Sequence, residues 1–234
     1  MGLDEVIMGK KNIILLVGLI VLGLIIVIFF LSPSQQSSDL SDNINSSRDL
    51  STNVSFTGNV SAEIPGDHLL GFYNSENTIV EYASLTCPHC AIFHGEVFPK
   101  IKSELIDKGK VKYIFRDFPI DPLAMAGSMI AHCSGDSKYF GVIDVLLKTQ
   151  DEWLFDNENP YNGLLKVARL AGLSEENVKV CLNDNELFSM IEGNQKLASS
   201  RFGVNGTPAI FVNNKKISSL DFDTIMAELG ITAD

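Results

Sequence analysis

Residues 78–90 read TIVEYASLTCPHC, and residues 90–109 continue as CAIFHGEVFPKIKSELIDKG. The run 78–83 is short, β-branched and apolar and follows a polar cluster at 74–77, which predicts a buried strand. From Cys90 onward, apolar residues recur at helical spacing until Gly109, which predicts a helix. The Cys-Pro-His-Cys unit is therefore expected between a strand and a helix.

This position is expected to give the two cysteines different chemistry. Cys87 lies where the first turn of a helix presents unpaired backbone N–H groups and the positive end of the helix dipole, which stabilise a thiolate. We predict that Cys87 is the acidic, exposed nucleophile and that the more buried Cys90 closes or resolves a disulfide with it. Pro88 suits the first helical position, where no N–H bond is lost. His89 favours the thiolate further if it turns a donor or a positive charge towards the sulfur.

Metal binding is the alternative function for this unit, because Cys87, Cys90 and His94 offer three ligands. A structural zinc site usually has a second close pair of ligands, whereas Cys133 and Cys181 are far apart in the sequence. We therefore favour redox chemistry by the cysteine pair itself, with no metal and no other cofactor. His94 is expected to be a helix-surface or packing residue.

Three segments together resemble the DsbA-like thiol-disulfide oxidoreductases: VEYASLTCPHC, YIFRDFP and VNGTPAIFVNN. The resemblance extends from about residue 78 to the carboxyl terminus and implies an α/β thioredoxin-like fold with an inserted helical subdomain. It also implies a cis bond between Thr207 and Pro208 beside the Cys87 sulfur, with the Thr207 backbone free to pair with an extended client segment. Without the resemblance, Pro208 would be interpreted as an ordinary turn or strand-start proline.

Glu81 matches the buried acid of this family, which the resemblance implies to carry protons to and from the inner cysteine. Ile79 and Ala83 share its face of the strand, and an apolar face favours burial. Burial disfavours the charged form of a carboxyl group, which can then exchange a proton near neutral pH. The alternative is an exposed strand carboxylate.

Helical patterns fill the sequence between the strand predicted at 110–118 and Thr207. They cover residues 123–132, 140–147, 164–170, 178–182 and 187–202. A bare thioredoxin core has no room for them, and the resemblance implies an insert at about 120–202 that forms one wall of a client groove. The segment AIFVNNKKI then predicts a hairpin turning at Asn213 and Asn214, and residues 222–229 a closing helix.

Cys133 and Cys181 both fall in this predicted insert. In an oxidising compartment a disulfide between them closes a long loop and stabilises the subdomain by about 4 kcal/mol. We predict this bond, which resembles the second, non-catalytic disulfide of some DsbA-like proteins; the alternative is two separate buried thiols. His68 and His132 have no predicted partner and are expected to be structural.

The amino-terminal part predicts a membrane anchor. Residues 13–31, IILLVGLIVLGLIIVIFFL, carry no charge and span about 28 Å as a helix, which matches a bilayer core. Lys10 and Lys11 precede them, which places residues 1–12 in the cytoplasm and favours an uncleaved transmembrane signal anchor. Residues 32–59 are rich in Ser and Asn and predict a flexible linker. Residues 60–234 then form the domain on the periplasmic or extracytoplasmic side of the cytoplasmic membrane. The alternative for residues 13–31 is a buried core helix.

The composition excludes one class of partner. Eighteen Lys and Arg against 29 Asp and Glu give a formal charge of −11, which opposes binding to nucleic acid.

The predicted function is a membrane-tethered enzyme that introduces disulfides into cysteine-containing exported clients through Cys87 and Cys90. The resemblance implies reoxidation by a quinone-linked membrane oxidase of the DsbB type. Alternatives are a disulfide isomerase, a thioredoxin-like reductant for cytochrome maturation, and a binding module or chaperone. The isomerase is considered because Thr207 before the proline resembles the isomerases more than the strongest oxidases.

Overall fold

A mixed sheet organises the computed structural model, which describes residues 58–155 and 159–231. Within these ranges the strands are β1 (His68–Gly71), β2 (Asn77–Ala83), β3 (Val111–Asp117), β4 (Ala209–Val212) and β5 (Lys215–Lys216). Their order is β1-β3-β2-β4-β5, with β2 and β3 parallel and the other neighbours antiparallel. The predicted strand before the cysteines is thus the central strand, and only β1 was not predicted.

The central strand β2 is buried on both faces, which explains its near-continuous apolar sequence. On one face Ile79 and Ala83 pack with α-helices, and Glu81 lies between them in the strand. On the other face Val80 and Tyr82 pack in a second cluster. The alternation predicted from the sequence is therefore present, and it directs Glu81 to the face that also holds Cys87 and Cys90.

Nine α-helices lie between and after the strands within the described residues, and they are numbered in chain order. They are α1 (Pro88–Glu96), α2 (Phe98–Ile101), α3 (Pro122–Cys133), α4 (Asp136–Lys148), α5 (Gln150–Leu154), α6 (Pro160–Leu170), α7 (Glu175–Leu182), α8 (Asn185–Phe202) and α9 (Phe222–Leu229). The predicted insert corresponds to α3–α8, between β3 and β4. Because α5 is short and has no apolar period of its own, the sequence pattern did not reveal it.

The prediction of one continuous helix to Gly109 was wrong. The helix is interrupted at Val97, and α2 continues into a turn of π-helix over Lys102–Ile106. The cause is Pro99, which has no N–H to donate and whose ring excludes the carbonyl four residues earlier. Gly109 ends the segment with a positive φ of 70°, as its position after the last apolar residue indicated.

The two faces of the sheet are covered by different helices. One core cluster joins α1, most of the insert and Ile225 and Leu229 of α9. The opposite cluster contains Ala198 and Phe202, so the carboxyl end of α8 packs on the sheet itself. The hairpin between β4 and β5 turns at Asn213 and Asn214, both with positive φ, as predicted.

A disulfide and a buried ion pair hold the periphery of the domain. Cys133 and Cys181 form a disulfide with a Cα–Cα distance of 6.1 Å, and it joins the ends of α3 and α7. The predicted pairing is therefore present in the structure. Arg116 of β3 forms a bidentate ion pair with Asp67, and its Nη1 donates to the Val60 carbonyl at 2.7 Å. This fixes the chain from residue 60 onward against the sheet.

Residues 1–57, which include the predicted cytoplasmic terminus, the span 13–31 and almost all of the linker 32–59, lie outside the described residues. Within residues 58–155 and 159–231, none of the helices has both the length and the apolar character needed to traverse a bilayer.

Candidate active site

Cys87 sits at the junction between the sheet and α1. It has an extended backbone, with φ −83° and ψ 119°, and Pro88 occupies the first turn of α1 as predicted. Its Sγ lies 3.2 Å from the Thr207 carbonyl oxygen. The residue is only 6% exposed, so the predicted exposed nucleophile is largely covered. The cause is the turn at Thr207 and Pro208, which packs over the sulfur.

The Thr207–Pro208 peptide bond is cis, as the resemblance implied. This turn leads directly into β4, whose Ile210 is paired with Glu81 and whose Ala209 is paired with Tyr82. The register of β4 against β2 therefore fixes the turn next to Cys87, although the two residues are far apart in the sequence.

The fold gives the two thiols opposite acidities. A hydrogen bond from Cys90 is the largest cause that lowers the pKa of Cys87 from 9.0 to about 5, helped by the Thr207 side chain and the backbone N–H groups of Cys90 and His89 and opposed by burial. Burial is the largest cause that raises the pKa of Cys90, with further contributions from the bond to Cys87 and the charge of Glu81. Cys87 is thus a thiolate near neutral pH and Cys90 a thiol.

His89 acts on the sulfur differently from the prediction. Its side chain is exposed, like that of Pro88. The contribution that reaches Cys87 comes from the His89 backbone N–H. The position at the start of a helix, more than the imidazole, therefore stabilises the thiolate.

Glu81 is completely buried, as its apolar face predicted. Its Oε2 accepts a hydrogen bond from the Tyr113 hydroxyl and lies 3.0 Å from His94 Nε2. Its Oε1 has no hydrogen-bond partner among the described residues. A buried carboxyl group with one oxygen held and the other unpaired lies close enough to Cys90 for its charge to affect that thiol.

His94 does not lie on the helix surface, which was one of the two expected locations. It is 2% exposed and stacks on Phe98, with ring centroids 4.6 Å apart. One helical turn after Cys90, it faces into the core because α1 packs this side on the sheet. Within the described residues, no three His, Cys, Asp or Glu side chains are grouped to hold a metal ion, and His94 is directed to Glu81.

No sequence pattern predicted a role for Gln150. It lies in α5 of the insert, is 5% exposed, and its Nε2 donates to the carbonyl oxygens of Leu85 at 2.8 Å and Cys87 at 3.1 Å. On the same segment, the Thr86 hydroxyl donates to Asp121, the N-cap residue of α3. The insert therefore fixes the backbone that carries Cys87. A single glutamine 63 residues downstream gives no pattern that could have revealed this contact.

A groove of about 620 Å³ runs along α1 and is lined by Pro88, the residue after Cys87. One wall is the exposed side of α1, with Pro88, Ala91 and Ile92, and the other is the junction of α4 and α5 at residues 147–152. The insert therefore forms one wall of a groove that begins at the residue after Cys87.

His68 and His132, for which no partner was predicted, form a separate polar cluster. His132 Nε2 lies 2.9 Å from Asp117 Oδ2, and its Nδ1 lies 3.1 Å from His68 Nε2. The His68 ring stacks on Tyr139 at 3.7 Å. These contacts join β1, β3 and the insert, which fits the structural role expected for both histidines.

Comparisons with known proteins agree with this architecture. A family model described as thioredoxin matches residues 63–229. The crystal structure of alpha-DsbA1 from Wolbachia pipientis shares 31% sequence identity and a TM-score of 0.67 and covers 72% of this chain and 91% of that one. The chain therefore belongs to the DsbA-like family of the thioredoxin fold.

Two relatives identified by sequence carry related names. Disulfide bond formation protein D of Bacillus subtilis is 28% identical over 69% of this chain and 75% of its own length. A relative from Rickettsia bellii, provisionally named a protein-disulfide oxidoreductase, is 34% identical over 70% of this chain. The matched region spans 63% of that relative's length.

Proposed function

We propose that this chain is a protein-disulfide oxidoreductase that exchanges disulfides with cysteine-containing clients through Cys87 and Cys90. The observation that carries the proposal is the opposite acidity of the two thiols. The pKa of Cys87 is lowered to about 5 and that of Cys90 is raised, at the start of α1 and beneath a cis-proline turn. A nucleophile and leaving group of low pKa beside a resolving thiol is what dithiol–disulfide exchange requires.

The exchange begins with the disulfide between Cys87 and Cys90. A client thiolate attacks the Cys87 sulfur, the bond to Cys90 breaks, and Cys90 leaves with the electron pair and takes up a proton. The client's second thiolate then attacks the sulfur joined to Cys87, and Cys87 leaves as a thiolate. The client is oxidised to a disulfide and the enzyme pair is reduced, so electrons and protons balance.

The direction of exchange follows from the lowered pKa of Cys87. A stabilised thiolate lowers the free energy of the reduced pair, and the disulfide form is therefore a stronger oxidant. This supports introduction of disulfides over their reduction. The isomerase and reductant alternatives require a pair that rests in its reduced form. Refolding of scrambled ribonuclease tests the isomerase, and the reduction potential of the pair tests the reductant.

Two features support the position of the client. The Thr207 backbone lies at the Cys87 sulfur, where an extended client segment could pair with it. The groove between α1 and the α4–α5 junction begins at Pro88 and can hold the residues that flank the client cysteine. The inserted subdomain thus has two roles. Through Gln150 it holds the backbone of Cys87, and it forms one wall of the groove proposed for the client.

The cellular setting of the proposal rests on the sequence. The apolar segment 13–31 with Lys10 and Lys11 before it supports a single-pass anchor with the domain outside the cytoplasm. A tethered domain is suited to reoxidation by a quinone-linked membrane oxidase of the DsbB type. The chemistry at Cys87 is independent of this setting.

The test uses the full-length chain in its disulfide form and a peptide with two cysteines. We expect one equivalent of peptide disulfide per chain, and none with Cys87→Ser. The double variant Cys133→Ala/Cys181→Ala is the control and is expected to oxidise the peptide at the wild-type rate. Efficient refolding of scrambled ribonuclease without added oxidant would instead favour an isomerase, and unchanged activity of Cys87→Ser would contradict the proposal.

A further inference from the structure

We propose that His94 is the outlet of a proton path that runs from Cys90 through Glu81 to a solvent-accessible cavity beside α1. The inference rests on the proposed function, because it concerns the proton that Cys90 gains and loses in each cycle. His94, which the sequence predicts to be a surface or packing residue, thereby takes a role in moving that proton.

The chemistry requires such a path. Cys90 is 0% exposed, so bulk water does not reach its sulfur directly. To close the disulfide with Cys87 during reoxidation, the Cys90 thiol must lose its proton before its sulfur can attack. A buried thiol therefore depends on a neighbouring group to accept the proton.

Glu81 is the acceptor that the geometry provides. Its Oε1 is buried and has no hydrogen-bond partner within the described residues, whereas its Oε2 is held by Tyr113 and His94. The Tyr113 hydroxyl fixes the carboxyl group in place but leads no further, because Tyr113 is itself fully buried. The Oε1 atom is therefore free to accept a proton, and His94 is the side chain that leads away from the site.

His94 can carry the proton onward because imidazole has two nitrogens. Its Nε2 lies 3.0 Å from Glu81 Oε2. Its Nδ1 is buried and has no hydrogen-bond partner among the residues the structure describes. A ring that receives a proton at one nitrogen can release another from the second, so the orphaned Nδ1 is the exit atom.

A cavity borders His94. It has a volume of about 420 Å³ and is lined by His94 together with Leu70, Phe98 and Phe140. Its charged lining groups are Lys102 in the π turn, Asp107 directly after it, and Asp144 and Lys148 of α4. Glu81 and Tyr113 face the ring from β2 and β3. A cavity of this size can hold water, and that water can accept the released proton.

The complete step balances. The Cys90 S–H proton moves to the Glu81 carboxylate, and the Cys90 sulfur attacks the Cys87 sulfur of a mixed disulfide with the oxidant, whose own thiolate leaves with the electron pair. The Glu81 carboxyl group then turns so that this proton faces His94, which starts with its own proton on Nδ1. Nε2 takes the carboxyl proton, and the Nδ1 proton leaves to water in the cavity. In the client-oxidising direction the same path runs in reverse.

The experiment separates the two chemical steps. The reduced full-length chain is mixed with oxidised glutathione, quenched in acid at intervals, and analysed by mass spectrometry for the mixed disulfide at Cys87 and for the closed disulfide. With His94→Ala we expect an unchanged rate of mixed-disulfide formation and closure slowed by about 10²-fold, the usual size of one acid–base contribution. Added imidazole is expected to restore closure, and 1-methylimidazole, which cannot relay through both nitrogens, is not.

Two further variants complete the design. His94→Gln keeps a hydrogen-bonding group next to Glu81 but cannot relay a proton, so it is expected to show the same slow closure even if His94→Ala fails to fold. His132→Ala is the matched control, since it removes another histidine paired with a buried carboxylate, Asp117, at 2.9 Å. It is expected to close at the wild-type rate.

The outcomes are distinct. Closure at the wild-type rate in both His94 variants, or equal rescue by imidazole and 1-methylimidazole, would overturn the relay and leave the proposed function intact. Failure of the wild-type chain to form either disulfide species would overturn the proposed function and the relay with it.

Discussion

Cys87 and Cys90 are separated by two residues, yet the fold gives their thiols opposite acidities. The difference arises from position on α1. The Cys87 sulfur lies before the first turn and accepts hydrogen bonds from Cys90, Thr207 and backbone N–H groups, while Cys90 lies within the core beside Glu81. Each thiol therefore takes the protonation state that its step in the exchange requires.

The first prediction concerns the hydrogen bond between the two cysteines. Because Cys90 is the largest cause of the lowered pKa of Cys87, Cys90→Ala is expected to raise that pKa from about 5 towards 9.0. Ultraviolet absorbance of the thiolate as a function of pH measures it. Thr207→Val, which removes a smaller contribution, is expected to raise it less. An unchanged pKa in Cys90→Ala would show that the helix terminus and Thr207 set the acidity without the Cys90 thiol.

The same pKa makes the stability of the reduced protein depend on pH. A pKa lowered in the folded state stabilises that state fully above the unfolded value of 9.0, and this contribution is lost as the pH falls towards about 5. The free energy of unfolding of reduced wild type, minus that of Cys87→Ala, is therefore expected to fall by up to about 1.4 kcal/mol per pH unit across this window. Denaturant titrations at several pH values test this, and a flat difference would contradict it.

At the level of elements, the insert supports the active site through one side chain. Gln150 of α5 donates to two buried carbonyl groups, those of Leu85 and Cys87. Gln150→Ala leaves both without that donor and is expected to lower the free energy of unfolding by about 1–3 kcal/mol and to slow exchange at Cys87. Gln195→Ala is the control, since Gln195 likewise donates to a backbone carbonyl, that of Pro119, and not to one of residues 85–87. Equal exchange rates in the two variants would show that the insert does not position Cys87.

The sequence predicted those elements whose local pattern agrees with their tertiary surroundings. Strand β2, the hairpin at Asn213 and Asn214, and the helices of the insert other than α5 all have strong periodicity or turn chemistry. The break at Val97 was not predicted because the apolar spacing continues through Pro99. The missing N–H and the ring of Pro99 nevertheless interrupt the helix. Strand β1 was missed because its four residues are too few for a reliable alternation.

The site divides in the same way. The cysteine pair and Glu81 could be found because a spacing or an alternating face is visible in the chain. The roles of Gln150, His94 and His132 could not, because each depends on a partner that only the fold brings near. A histidine on a helix gives no local indication of whether it faces solvent or a buried carboxylate on a neighbouring strand.

At the level of the whole molecule, the Cys133–Cys181 disulfide joins α3 to α7 in a core cluster separate from that of the reactive pair. Because it closes a long loop, Cys133→Ala/Cys181→Ala is expected to lower the free energy of unfolding by up to about 4 kcal/mol, measured by denaturant titration. The pKa of Cys87 is expected to stay near 5, since its main causes are Cys90, Thr207 and the backbone of residues 89 and 90. A raised pKa in the double variant would mean that the disulfide also shapes the site.

The central claim is that the domain holds its reactive cysteines as a disulfide donor. The most direct test is the equilibrium reduction potential of the Cys87–Cys90 pair in the full-length chain, measured against glutathione buffers at pH 7. We predict a value above about −200 mV, closer to the roughly −120 mV of a strong disulfide oxidant. A value near about −270 mV, typical of thioredoxin, would contradict it and identify the protein as a reductant.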